Sequence, residues 1–265
     1  MQRTDDGTEW ERTGQRGAPS VIFIHGLGLN RGVWQWMAPA LAQDYDLLSY
    51  DLYGHGGSAA PPETPSLRLF SRQLAALMDA AEIERAAIVG FSLGGMICRR
   101  FAQDAPVRAR ALVILNSPHR RTPDAQAAIV KRVDQAAAQG PSATVEAALE
   151  RWFTDDYRAR SPDMMALVRS WVMANDPEIY PTIYRVLAEG VDEIVAPVPP
   201  LTQPTLVLTG EEDWGNNPDM THATANEING AEALILPGLR HMALAEDPNA
   251  VNGAVRAFLD RTRTS

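Results

Sequence analysis

The chain has a single cysteine, Cys98, so no disulfide can form within it and its stability must come from packing. No apolar run approaches the roughly 20 residues that a membrane-spanning helix needs. The opening segment MQRTDDGTEW also lacks the apolar stretch of a secretory signal. Basic residues are the minority charge. The 24 Lys and Arg against 33 Asp and Glu leave a formal charge of -9, which argues against nucleic acid or an anionic membrane as the main partner. Internal repeats and low-complexity tracts are absent too. What these absences leave open is a cytoplasmic protein, in a reducing compartment, acting on a small molecule. A homo-oligomer remains compatible with all of them.

The chain does have bulk. Its 265 residues, 45% of them hydrophobic, suffice for one large domain, or a domain carrying an insertion, with a sizeable buried core. Short β-branched runs at 20–25, 45–50, 86–91, 111–116, 205–210 and 233–237 are apolar enough for strands buried on both faces. Helical spacing falls between them at 33–43, 66–81 and 93–104, and again at 248–261. This alternation predicts an α/β fold with a mostly parallel central sheet and helices on both faces. Asp5-Asp6-Gly7 reads as a turn between two short edge strands.

The alternation stops between 117 and 200. Helical patterns at 123–139, 142–153, 162–174 and 177–188 follow one another without a strand, most of them starting at or beside a proline. The expected organisation is a core of residues 1–116 and 201–265 with an inserted helical cap at 117–200. The insertion returns to the core through the stiff run Ala196-Pro197-Val198-Pro199-Pro200.

The most specific local signal is Gly90-Phe91-Ser92-Leu93-Gly94, followed by Gly95, where a predicted strand meets a predicted helix. Small residues two before and two after the serine permit a sharp, strained turn that lifts its hydroxyl clear of the sheet. The free N–H groups and positive dipole end of the following helix then favour negative charge on a reacting carbonyl oxygen. His25-Gly26-Leu27-Gly28, ending the first long strand, can bring a second backbone donor. The N–H groups of Leu27 and Leu93 would form an oxyanion hole, each worth about 3 kcal/mol.

Five histidines compete to be the base. His25 and His55 lie in glycine-rich turns, His119 begins the inserted segment, and His222 falls in a helix. His241 follows the last predicted strand, and loops at the carboxyl ends of parallel strands converge on the ligand crevice. The acid should end the strand before it, where the chain reads Glu211-Glu212-Asp213. Asp213, three residues past the strand-ending Gly210, is the choice: its short side chain can accept the imidazole N–H and fix the tautomer. The preceding core strand ends in Asn116-Ser117, with no carboxylate.

Together with Asp51-Leu52-Tyr53-Gly54-His55-Gly56-Gly57-Ser58, these motifs cover almost the whole chain and resemble the α/β-hydrolase fold superfamily, in which Ser, Asp and His occur in that order. The Asp51–Ser58 segment reads as a structural loop beside the oxyanion strand. Leu149-Glu150-Arg151-Trp152-Phe153 is similar to the cap of 3-oxoadipate enol-lactonases and related lactone hydrolases. Arg240 departs from the pattern, a glycine being common before the histidine. The resemblance implies an acyl-enzyme hydrolase of small esters or lactones that needs no metal or organic cofactor. C–C bond hydrolysis of β-diketone-like substrates and perhydrolysis use the same triad, and a ligand receptor can be built on the same fold. A serine at the elbow argues against the halide- and epoxide-opening relatives, which carry aspartate there.

Substrate choice must come from the inserted segment and the loops beneath it. Trp34, Trp152, Trp214 and His119 are candidate pocket residues. Arg31, Arg151 and Arg185 are candidate partners for a substrate carboxylate.

Overall fold

A computed structural model describes residues 1–263. Eight strands form one sheet in the order β1-β2-β4-β3-β5-β6-β7-β8. Strands β1 (Gln2–Arg3) and β2 (Glu9–Gly14) make an antiparallel edge, joined through a turn in which Gly7 takes φ 82°. The other six run parallel to one another: β3 (Ser20–Ile24), β4 (Asp46–Tyr50), β5 (Ala86–Phe91), β6 (Ala109–Leu115), β7 (Thr205–Gly210) and β8 (Glu232–Leu236). Strands β5, β6 and β7 are buried at every position, which explains why they read as mostly apolar runs.

Alternate strand residues feed two cores. Ile22, Ile24 and Ile88 point to one face, against helices α2 (Leu67–Ala80) and α3 (Leu93–Asp104). Val21, Phe23 and Val89 point to the other, against α1 (Ala38–Leu41) and the terminal helix. Between β6 and β7 come α4 (Pro123–Gln139), α5 (Val145–Trp152), α6 (Asp155–Arg160), α7 (Pro162–Met173) and α8 (Tyr180–Glu189), with no strand among the described residues there. The chain closes with α9 (Pro218–Asn226), α10 (Ala243–Glu246) and α11 (Pro248–Arg261). No helix among the described residues is long and apolar enough to cross a membrane.

Local chemistry moved several boundaries. The helix expected over 33–43 is a 3-10 turn, Arg31–Trp36, followed by α1, because Pro39 has no N–H to continue a helix across the junction. The pattern expected from 177 starts at Tyr180, since the Asp176 carboxylate takes the N–H groups of Glu178 and Ile179 and holds them in a turn. Helix α6 is an addition, started by Thr154, whose hydroxyl caps Tyr157.

Candidate active site

Ser92 sits between the last residue of β5 and the first of α3, at φ 56° and ψ -113°. A positive φ at a residue with a side chain costs about 1–3 kcal/mol and persists only where the surroundings enforce it. The enforcing contacts are hydrogen bonds to its main chain. The Ser92 N–H donates to Leu115 O at 2.8 Å, while its carbonyl accepts from the Ser117 hydroxyl at 2.9 Å and from Gly95 N–H at 3.0 Å. The turn is also tighter than any side chain allows at its flanks. A Cβ on Gly90 would lie 2.2 Å from Gly94 O, and one on Gly94 would lie 2.1 Å from Ile24 O.

Opposite the serine, His241 leaves β8 through a short loop and packs its ring 4.9 Å from that of Phe91. Its Nδ1 lies 2.7 Å from Asp213 Oδ2, and both side chains are almost fully buried. The Asp213 carboxylate has further donors: Asn116 Nδ2 at 3.0 Å on one oxygen, and the N–H groups of Gly215 and Asn216, each at 3.0 Å, on the other. These donors fix the direction of the carboxylate. The neighbouring acids are committed elsewhere: Glu211 accepts from Gly238 N–H and Glu212 lies 3.7 Å from Arg240 Nε. With Nδ1 directed at the carboxylate, Nε2 is left without a hydrogen-bond partner among the described residues. Ser92, Asp213 and His241 all line one narrow cavity of about 80 Å³, together with Leu27 and Trp152. The N–H groups of Leu27 and Leu93 have no intramolecular acceptor among the described residues.

The loop carrying Leu27 is held by two buried imidazoles. His25 Nε2 accepts from Leu52 N–H and its Nδ1 meets Gly26 O, while His55 Nε2 accepts from Gly28 N–H, all within 3.0 Å. Burial holds both rings neutral, lowering His25 to about 4 and His55 to about 3. The Asp51 carboxylate collects Arg31 N–H at 2.7 Å, Gly57 N–H at 2.8 Å and the Arg31 guanidinium, tying together the loops after β3 and β4.

Five residues expected at the pocket lie away from this cavity. Trp34 is 1% exposed and stacked on Phe23 at 4.8 Å, so it packs the core behind the sheet. Arg31 is paired with Asp51 and with Glu9 at 2.8 Å, in a separate cleft of about 650 Å³. Trp214 is 63% exposed, with the Arg240 guanidinium 4.1 Å from its ring centre. His119 is held by Glu227 at 2.9 Å. Arg185 is exposed and pairs with Glu189 at 2.9 Å. Trp152 and Arg151 do line the cavity, the Trp152 ring lying 6.0 Å from that of His241. Arg121, Arg132, Tyr180 and Tyr184 line it as well. For two of these the sequence carried a usable signal, an amphipathic residue on an apolar helix face: Arg132 three after Ile129, and Tyr184 four after Tyr180.

The Arg240 side chain reaches the end of α5 and the residues that follow it. Its guanidinium donates to the carbonyls of Glu150 at 3.0 Å and Phe153 at 2.8 Å, and to Asp155 at 3.0 Å. Beside it, Met242 N–H donates to Trp152 O at 2.8 Å. The loop bearing His241 is thereby clasped to the end of α5.

Sheet order, strained serine turn and buried His–Asp pair are those of an α/β hydrolase, and the family model for the alpha/beta hydrolase fold matches residues 19–248; the chain belongs to that family. Among its relatives, the (E)-2-((N-methylformamido)methylene)succinate hydrolase of Acinetobacter baylyi is 27% identical over 91% of this chain and 90% of its own length. 3-Oxoadipate enol-lactonase 2 of the same organism is 27% identical over 94% and 91%. The crystal structure of the enol-lactonase from Burkholderia xenovorans LB400 superposes with a TM-score of 0.88 at 28% identity, covering 96% of each chain. The protein is accordingly similar to hydrolases over nine-tenths or more of its length.

Proposed function

We propose that the protein is a serine hydrolase that cleaves an ester or lactone of a small molecule through an acyl-enzyme. The carrying observation is the 2.7 Å His241–Asp213 pair sharing one cavity with a serine held at φ 56°. His241 Nε2 takes the Ser92 hydroxyl proton as Oγ bonds to the carbonyl carbon, and the carbonyl electron pair moves onto oxygen. The N–H groups of Leu27 and Leu93 hold that oxyanion. Collapse breaks the carbon–oxygen bond to the alcohol portion, which leaves with the proton from His241. Water, deprotonated by the same nitrogen, then releases the acid and regenerates Ser92. Asp213 keeps Nδ1 protonated throughout and stabilises the imidazolium. Likeness to enol-lactonases supports the lactone form of the reaction. Residues 117–200 act as a cap whose helices α4, α5 and α8 wall the cavity. Hydrolysis of p-nitrophenyl butyrate with a pre-steady-state burst tests the reading. Ser92→Ala must abolish both phases, and retained turnover in that variant overturns it.

A further inference from the structure

The wall that α4, α5 and α8 give the cavity is cationic. Arg121, Arg132 and Arg151 all line it, and the remaining charged wall residue besides His241 is Asp213, already engaged with that imidazole. The chain carries a formal charge of -9, and its other arginines readily find acids: Arg12 with Asp46, Arg99 with Glu227, Arg256 with Asp44. None of the three cavity arginines has a carboxylate within ion-pair reach among the described residues.

Their hydrogen bonds rank them. Arg121 donates to Ala188 O and Leu187 O, both at 3.2 Å, which satisfies carbonyls at the end of α8 and accounts for it structurally. Arg132 uses Nε alone, on the Tyr184 hydroxyl at 3.1 Å, leaving both terminal nitrogens free. Arg151 donates to nothing among the described residues. Burial lowers the proton affinity of Arg121 and Arg151, and the charge of Arg132 adds to the lowering in both. Like charges gathered in a poorly solvated wall are costly unless an anion joins them. Planar guanidinium groups hold carboxylates by paired, charge-assisted bonds.

We propose that this cavity takes an anionic substrate, the ester or lactone of an acid carrying a second carboxylate, and that Arg132 and Arg151 bind that carboxylate. Tyr184, whose oxygen accepts from Arg132, has its own proton to give the same group. The hydrolytic step rests on the function proposed above; the anion site does not.

The experiment compares monomethyl adipate and monomethyl glutarate with the corresponding dimethyl esters, by titration of released acid. It adds calorimetric binding of adipate and glutarate to the Ser92→Ala protein. The monoesters should exceed the diesters in kcat/KM by about tenfold or more, mainly through KM, and the dicarboxylates should bind. In Arg132→Gln and Arg151→Gln the mono-to-diester ratio should collapse by about 10- to 100-fold, with partial recovery in Arg151→Lys. Arg185→Gln, an exposed arginine outside the cavity, should leave the ratio where it was. Circular dichroism melting of each variant separates loss of fold from loss of the site. Equal kcat/KM for monoester and diester, with no dicarboxylate binding, overturns the proposal while leaving Ser92-dependent hydrolysis standing. Dicarboxylate binding that vanishes in Arg132→Gln and Arg151→Gln, without hydrolysis of any ester, upholds the anion site and overturns the acyl-transfer reading instead.

Discussion

Replacing Arg240 by methionine should loosen the loop that carries His241. The side chain is 8% exposed, and its guanidinium ties that loop to the carbonyls of Glu150 and Phe153, at 3.0 and 2.8 Å. Methionine keeps much of the stem's packing volume and removes both donors, leaving two main-chain acceptors at the end of α5 without a partner. Hydrogen bonds to charged groups contribute about 1.5–3 kcal/mol each, so the loss of two sums to about 3–6 kcal/mol. The contact to Asp155 adds nothing to this figure, because that carboxylate lies in open solvent. Stacking on the exposed Trp214 ring contributes about 0.5–1 kcal/mol more. Urea titration followed by tryptophan fluorescence measures the total. Because Met242 N–H bonds to Trp152 O beside the same clasp, kcat on p-nitrophenyl butyrate should fall by about tenfold at a urea concentration of zero. Both carbonyls accept from one nitrogen, Nη1, so lysine, which carries three donors on a single nitrogen, should restore part of the stability. A methionine variant within about 1 kcal/mol of wild type, with unchanged kcat, refutes the clasp.

Two further outcomes follow from buried groups. Asp213→Asn should lower kcat by about 10⁴-fold by favouring the wrong imidazole tautomer. Glu211→Gln and Glu212→Gln should change it by less than threefold, since neither acid contacts His241; the reverse ranking would move the orienting role. Stability should also decline on mild acidification. His25 and His55 stay neutral in the folded protein down to about 4 and 3, whereas in the unfolded chain they take up protons near 6.5. Below that pH the unfolded state binds more protons. The unfolding free energy therefore falls with pH by up to about 1.4 kcal/mol per unit for each histidine. Urea midpoints at pH 7, 6 and 5 measure the slope, and a flat profile over that window contradicts neutral burial.

The sheet was legible because burial on both faces leaves a coarse mark: β5, β6 and β7 are mostly apolar runs, broken only by Arg110, Thr205 and Thr209, and no packing detail is needed to read them. The turn at Ser92 was legible for a different reason. Its constraints are local, glycines at 90 and 94 being required by main-chain contacts a few residues away or on the adjacent strand. Choosing among Glu211, Glu212 and Asp213 was harder, since side-chain direction in a turn depends on the Asn116, Gly215 and Asn216 donors around it. Trp34 and Trp214 show where residue type misleads. An aromatic ring suits a pocket wall, a core or a surface stack equally well, and here one fills the core while the other stacks under Arg240. The cationic wall was only partly visible, through Arg151. Arg132 and Tyr184 meet there by the packing of α4 on α8, and Arg121, just before α4, bonds to carbonyls at the end of α8; these contacts join segments some 50 or more residues apart, which periodicity does not encode.

The central claim is that Ser92 Oγ becomes acylated. Mixing the protein with p-nitrophenyl butyrate, quenching in acid within the burst and sequencing its peptides by mass spectrometry tests this directly. The account predicts a butyryl group on Ser92 in the wild type, persisting longer in Asp213→Asn and missing from Ser92→Ala. Turnover without an acylated Ser92, or a butyryl group carried on another residue at the same rate, would contradict it.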